Sequence, residues 1–418
     1  MSPSLMLSLS AVSSTLPRHC AHVTASGLIV LSAGFYLFGD YGGPARCFYL
    51  LIALPVLLML PLRPNLLMPG TLQAVLFLPL PLYLALSSNW GLPVGSAAGD
   101  YWDLAKPALF LSLLLAGGCA ALRFRPDLPQ LLPKAIVIAA VPSALLGLAH
   151  YLPEALTSDN WPRMAGFSLR GDINVTAALH GFNCLLCVWG LHYWSSRWRI
   201  WLYCGLGLSL LSVLLSQSKV ALLFSLLALI GLSWHKLQVK RQYTLLTGLL
   251  ITGLLLAFFS NFERIPFLDR TEAYTVRIDL WQQSIAQWAK QPWLGHGLGA
   301  DLGLTRFGQP YHSHSHNFLL GTLRYGGLLG VGLLLWQISG TLWLLWRRRS
   351  ESVPEQNVIL LWWLAGMAFL LTNGGQPLVK PHHTWFFYWI PLTLLLAGSA
   401  INAKPTDIPM RPRCQSAP

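Results

Sequence analysis

Residues Tyr311–Gly330 read YHSHSHNFLLGTLRYGGLLG. Three histidines (His312, His314, His316) and Asn317 stand at the mouth of a long apolar run. Hydrocarbon cannot satisfy imidazole nitrogens, so ionisable groups at a membrane boundary usually line a pathway or a site. Histidine also exchanges a proton near neutral pH more readily than other side chains. The competing reading is an interfacial loop with solvated imidazoles. Either way, the apolar run reads as a membrane span entered through a polar mouth.

The rest of the chain agrees. Of 418 residues 54% are hydrophobic and only 10% charged, with a mean hydropathy of +0.52. A soluble domain carries about 25% charged residues, so the expected fold is an all-α polytopic membrane protein. A span needs about 20 apolar residues. About twelve candidate transmembrane helices follow, centred near Val30, Ala53, Leu78, Leu113, Ala140, Leu185, Leu208, Ala228, Thr252, Gly330, Met367 and Leu392. The whole chain, 1–418, reads as one integral-membrane domain.

Charge sets the expected orientation. In the twelve-span reading, Arg18, Arg63, Arg123, Arg125, Lys134, Arg197, Arg199, Lys236, Lys240, Arg241, Arg347, Arg348, Arg349, Lys404, Arg411 and Arg413 fall on one side. By the positive-inside rule that side is cytoplasmic and holds both termini. The net charge of +13 then reflects topology, and nucleic acid is not an expected partner because no long basic run exists. The other side still carries Arg46, Lys106, Arg163, Arg170, Lys219, Arg264, Arg270, Arg277, Lys290, Arg306, Arg324 and Lys380. Topology does not require those cations. An anionic ligand explains them, and local ion pairs are the plainer alternative. No charged segment leads into a clean apolar core at the start, so no cleavable signal peptide is expected. Cys184 and Cys187 form a C-x-x-C inside an apolar helix with no second pair, which reads as packing.

One segment interrupts the short connections. Residues 261–316 form a long outer loop between the ninth and tenth spans, and loops of that length are usually functional. Within it TVRIDLWQQSIAQWAKQ (Thr275–Gln291) reads as an amphipathic helix. Val276, Leu280, Ile285 and Trp288 share its apolar stripe, with Trp281 at the edge. Such a helix is expected at the interface, tryptophans toward lipid and Arg277 toward water or a ligand. Pro292 ends it, and WLGHGLGAD (Trp293–Asp301) supplies turn glycines. A second outer loop holds NWPRMAGFSLRGD, and Lys219 sits at the outer end of LLSQSKVALL (Leu214–Leu223). Simple anchoring by snorkelling is the plain reading of that lysine.

Several cations beside a histidine suit phosphate chemistry. Arginine forks hold phosphate oxygens and stabilise a departing anion, and a histidine deprotonates an attacking hydroxyl. No phosphate-binding loop, H-E-x-x-H or aspartate pair is present. His312, His314 and His316 would point the same way on an extended strand, but no fourth ligand is evident, so no metal and no cofactor are expected.

The ordered set R-I-D-L-W (Arg277–Trp281), P-W-L-G-H-G-L-G (Pro292–Gly299), H-S-H-N-F-L (His314–Leu319) and G-G-L-L-G (Gly326–Gly330) resembles the O-antigen ligase and polymerase superfamily. Upstream, Arg163–Gly166 with Asn174 resembles the family's R-x-x-G…N loop. Ser218–Lys219 resembles its S-R-G element, with lysine for arginine and Val220 for glycine. The resemblance implies a metal-independent, inverting membrane glycosyltransferase of the C-type fold, in the bacterial inner membrane with its site facing the periplasm. Its implied donor is an undecaprenyl-pyrophosphate-linked glycan, and its implied acceptor is lipid A–core or another hydroxyl. By the same resemblance His316 activates the acceptor hydroxyl and His314 and Asn317 arrange it. Arg277 and Lys219 clamp the pyrophosphate, and Arg163 assists. Arg324 stands where many relatives carry an acidic residue.

Within the family, ligase, repeat-unit polymerase and protein O-oligosaccharyltransferase share closely similar sites. The chain ends soon after the last span, without an appended domain, which favours ligase or polymerase. A transporter or flippase is the rival from another class. It predicts internal two-fold similarity and polar residues at the bilayer midplane, neither of which the sequence displays.

Overall fold

The structure, a computed structural model, describes residues 3–158, 162–169, 172–234, 271–306, 309–312, 314–349 and 354–401. The expected span centre Thr252 lies outside those residues. So do Arg170, Lys236, Lys240, Arg241, Arg264, Arg270, Lys404, Arg411, Arg413 and the start of the long loop, together with the side chains of Arg306 and His312.

Helices α1 (Pro3–Leu37) and α2 (Gly42–Met59) form the first hairpin. A broken pair follows, α3 (Thr71–Phe77) and α4 (Pro79–Gly91), bent by 41°. Next come α5 (Ala98–Phe124), α6 (Leu128–Thr157), α7 (Ile173–Tyr193), α8 (Arg199–Ser216) and α9 (Lys219–Trp234). After α10 (Thr271–Trp288) a small antiparallel hairpin pairs β1 (Leu304–Arg306) with β2 (Gln309–His312). The chain closes with α11 (Phe318–Arg347), α12 (Pro354–Asn373) and the shorter α13 (Trp385–Ala400).

Among the described residues eight helices are long and apolar enough to cross a membrane, or nine if the bent pair is one span. Every expected centre except Thr252 falls in a helix or, for Leu78, at the break between α3 and α4. The two expected spans around Ala228 and Leu392 correspond to helices of 16 and 12–16 residues, shorter than a full crossing in what is described. Helices suit lipid because they satisfy every backbone group within the segment. Where they break, the protein must supply the missing partners. At the α3–α4 bend Pro81 has no N–H to give the Phe77 carbonyl. The buried Gln337 of α11 donates from Nε2 to Leu76 O at 3.1 Å and Phe77 O at 3.0 Å. Its Oε1 accepts from Tyr388 at 2.7 Å.

Helix α13 occupies the centre. Trp385, Phe386, Phe387, Tyr388 and Trp389 are all fully buried, with Phe386 packed on Phe35, Phe182 and Trp362. Lipid offers little hydrophobic drive for helix association, so close packing holds such a core. Gly366 shows how close: a Cβ there would sit 1.9 Å from the Phe387 carbonyl oxygen. Outward positions such as Leu50, Leu57, Leu335 and Trp336 remain exposed, as a lipid-facing belt requires.

The glycine motifs find their reason in α11. Gly327 adopts φ 62°, ψ −162° and breaks the helix, which uncouples Arg324 O from Leu328 N and Tyr325 O from Leu329 N. The Pro292–Gly297 loop inserts there. His296 N donates to Arg324 O and Gly297 N to Tyr325 O, both at 2.9 Å. Leu328 N donates to Pro292 O at 2.8 Å and Leu329 N to Trp293 O at 3.1 Å. Four bonds to the loop replace two helical ones. Gly295 (φ 69°) permits the contact, since a Cβ on it would lie 2.4 Å from Gly327 N.

Candidate functional site

Two groups of the expected residues gather at one end of the bundle. In the first, Arg163 donates from Nε to Ser216 O at 2.9 Å and from its terminal nitrogen to Asn174 Oδ1 at 3.1 Å. Met164 N binds Leu215 O at 3.0 Å. The loop carrying Arg163 is thereby sewn onto the α8–α9 turn, where Gln217 takes the left-handed region (φ 55°) and delivers Lys219 to the first turn of α9. Arg163, Asn174 and Ser218–Lys219, separated in sequence, are neighbours in space.

The second group centres on the histidine entrance. His316 sits at φ 52°, so the chain turns sharply instead of running extended through the three histidines. The extended strand that would align the imidazoles is not formed between His314 and His316. The His314 and His316 rings instead meet edge to face, with centroids 4.3 Å apart, and His316 N donates to His314 Nδ1 at 3.3 Å. Asn317 caps α11, its Oδ1 accepting from Leu319 N and Leu320 N at 3.0 Å each, a standard use of asparagine at a helix start. Among the described residues no group of three His, Cys, Asp or Glu side chains is arranged to hold a metal ion.

Helix α10 brings Arg277 to this group. It begins at Thr271, earlier than the sequence pattern suggested, and packs on α11. Leu280 and Ser284 form its buried face, whereas Ile278 and Ile285 are exposed. The half-buried tryptophans engage their indole N–H groups within the protein. Trp281 Nε1 donates to Ser315 O at 3.1 Å and Trp288 Nε1 to Pro292 O at 3.0 Å. The backbone between His314 and His316 is thus tied directly to the helix bearing Arg277. Arg277 itself donates to Asn373 Oδ1, at the end of α12, at 3.3 Å.

Sequence reasoning missed several residues here. Asn373 Nδ2 donates to Thr372 Oγ1 at 2.9 Å, which aims its oxygen at Arg277. The Asn373 backbone binds the ring of His383, and Tyr41 OH pairs with His383 Nδ1 at 2.9 Å. Tyr41 stacks on His382 at 4.2 Å. Burial, then the nearby His314, pushes His382 down to about 4. Burial also drives His383 well below its ordinary range, with His382 and His314 adding to it. Both rings are neutral at physiological pH. The missed signal was His382–His383 at the mouth of the last span, the same pattern that drew attention to His312–His316. Tyr41 also joins the two groups: burial and then the charge of Asp172 raise its phenol. Asp172 in turn caps α7 by accepting from Val175 N at 3.1 Å, two residues from Asn174.

Arg324 is fully buried. Its Nε donates to Gln287 Oε1 at 2.8 Å and its terminal nitrogen binds Leu302 O, so it cross-links α10 and the following loop to α11. Lys106 pairs with Asp103, the plain local ion pair weighed for the outer cations. Cys184 and Cys187 are buried in α7 with free thiols.

Fold and site together define a multi-pass helical membrane protein with a polar, histidine-rich mouth flanked by guanidinium groups at one end. Residues 204–335 match the family described as O-antigen ligase. Over 378 residues, 89% of each chain, the protein is 29% identical to an O-antigen ligase of Pseudomonas aeruginosa. The chain thus resembles the O-antigen ligase family within its second half, and a protein named as an O-antigen ligase along most of its length.

Proposed function

We propose that this protein is an inverting glycosyltransferase of ligase type. It moves a glycan from undecaprenyl pyrophosphate to a hydroxyl of lipid A–core at the periplasmic face of the inner membrane, with both termini cytoplasmic. The observation that carries the reading is the Trp281–Ser315 bond, which ties the helix bearing Arg277 to the turn bearing His314 and His316. An anion holder and a proton acceptor in one rigid corner are what the reaction needs. The acceptor oxygen attacks the anomeric carbon and gives its proton to His316. The carbon–oxygen bond to phosphate breaks, and the carrier pyrophosphate leaves with the electron pair. Arg277 stabilises that developing charge, with Lys219 and Arg163 supplying further positive charge. His314 orients His316, and Asn317 fixes the turn by capping α11.

In a deletion strain, the wild-type chain should restore full-length glycan on the lipopolysaccharide core. Core bearing a single repeat unit after deletion would make it a polymerase. Glycan lost from a protein, with lipopolysaccharide intact, would make it a protein transferase. Carrier-linked glycan retained on the cytoplasmic side would replace the enzyme reading with a flippase.

A further inference from the structure

The loop between α12 and α13, residues 374–384, plays no part in the scheme above, yet it is built like a binding surface. Two indoles hold its backbone: Trp389 Nε1 donates to Pro377 O and Trp385 Nε1 to Val379 O, both at 2.9 Å. Its start lies on the first turn of α11, where a Cβ on Gly321 would stand 2.7 Å from Gly375 O and 3.0 Å from Gln376 N. A Cβ on Gly375 would stand 3.6 Å from the Cβ of His314. The loop is therefore fixed in place beside the histidine corner.

Against this rigid backbone, Gln376 Oε1 and His382 Nδ1 are buried and find no hydrogen-bond partner among the described residues. Burying such atoms unpaired is costly, and native proteins seldom do so without a use for them. The chemistry of these groups narrows what satisfies them. An amide oxygen repels phosphate oxygens, and a neutral imidazole offers them a single N–H without a charge. Hydroxyl groups, which donate and accept, match both. The Tyr41–His382 stack at 4.2 Å adds an aromatic face of the kind that receives the C–H face of a sugar ring. Arg277 donates to Asn373, the residue just before this loop, so the loop adjoins the guanidinium that the scheme above gives to the leaving group.

We propose that Gln376 and His382 form the acceptor subsite, hydrogen-bonding ring hydroxyls of the sugar that receives the glycan and presenting its nucleophilic hydroxyl to His316. This rests on the glycosyltransferase reading above. The subsite takes a carbohydrate acceptor, whether the core sugar of a lipid A–core or the terminal sugar of a growing chain.

The test uses the full-length protein in nanodiscs with undecaprenyl-pyrophosphate-linked glycan as donor and purified lipid A–core as acceptor, repeated with carrier-linked glycan as acceptor. Gln376→Leu and His382→Leu should each raise the acceptor KM about tenfold, leaving the donor KM within about twofold. His382→Asn, whose amide places a polar atom near the former Nδ1, should recover most of the acceptor affinity. Independently of turnover, lipid A–core added alone to wild-type protein should slow hydrogen exchange in residues 373–384, and donor alone should not. An unchanged acceptor KM in the folded variants, or a rise confined to the donor KM, overturns the subsite. Unchanged exchange on acceptor addition overturns it even where a variant fails to accumulate. A wild-type protein that transfers to neither acceptor defeats the functional reading instead, a result visible before any variant is made.

Discussion

Gly327→Ala probes the join between loop and helix on which the site depends. At φ 62°, ψ −162° a non-glycine residue carries about 1–3 kcal/mol of backbone strain, and the new Cβ would meet Gly295 N at 2.4 Å. One escape is for α11 to straighten. It then regains two helical bonds and loses the four made with the Pro292–Gly297 loop, a net deficit of two, or about 1–3 kcal/mol. Either route costs roughly 2 kcal/mol. Straightening also frees the loop that follows α10, so Arg277 loses its fixed place relative to His316. A displacement of about 1 Å at a reacting centre costs on the order of a hundredfold in rate. The assay is thermal unfolding in detergent alongside glycan transfer in nanodiscs. Gly332→Ala serves as control, because nothing lies within 4 Å of its Cβ position. Alanine there should be neutral or stabilising by up to about 1 kcal/mol. Wild-type stability and transfer in Gly327→Ala would refute the role assigned to the inserted loop.

Asn373→Leu removes the oxygen that aims Arg277 and should raise the donor KM about tenfold; a change confined to the acceptor KM would oppose this assignment. Arg277→Lys should transfer poorly because a point charge lacks the fork, whereas Lys219→Arg should retain transfer in a membrane-vesicle assay. Gln287→Leu strands the Arg324 Nε in a fully buried site and should cost about 2–3 kcal/mol in thermal stability. Adding Arg324→Met should cost less than the sum of the two, and strict additivity would argue against the cross-link. His382 has a folded pKa of about 4 against an ordinary 6.5, so between those values the unfolded chain binds the extra proton. Its stability contribution is complete above pH 6.5 and drains away toward pH 4, by up to roughly 3 kcal/mol. His382→Asn should flatten the unfolding profile over that window.

Helical membrane architecture was legible because composition and run length report directly on lipid exposure; within the described residues helices lie at every expected centre but Leu78, which stands at the α3–α4 break. The site motifs were legible as well, since their residue types are costly at a membrane boundary. What the linear pattern hid was the partner of each group. Asn373 holds Arg277 from the end of a helix nearly a hundred residues away, and no local spacing announces that contact. The stripe assigned to α10 put Leu280 and Ile285 on one face, but packing buries Leu280 together with Ser284 and leaves Ile285 exposed. The indole bonds of Trp281 to Ser315 O and of Trp288 to Pro292 O were likewise hidden in the linear pattern. Arg324, first noted as a departure from the family pattern, is a structural cross-link, and only its buried partners reveal that.

The central claim is that one corner of the protein holds both the pyrophosphate leaving group and the base for the acceptor hydroxyl. Its most direct test is single-turnover transfer from radiolabelled undecaprenyl-pyrophosphate-linked glycan to lipid A–core by purified protein, comparing wild type with His316→Ala and His312→Ala. Wild type should form labelled lipopolysaccharide. His316→Ala should bind donor normally yet lose at least about a hundredfold in rate, and His312→Ala should stay close to wild type. Equal transfer by a folded His316→Ala protein, or a wild type that carries labelled donor across a bilayer without forming product, would contradict the account.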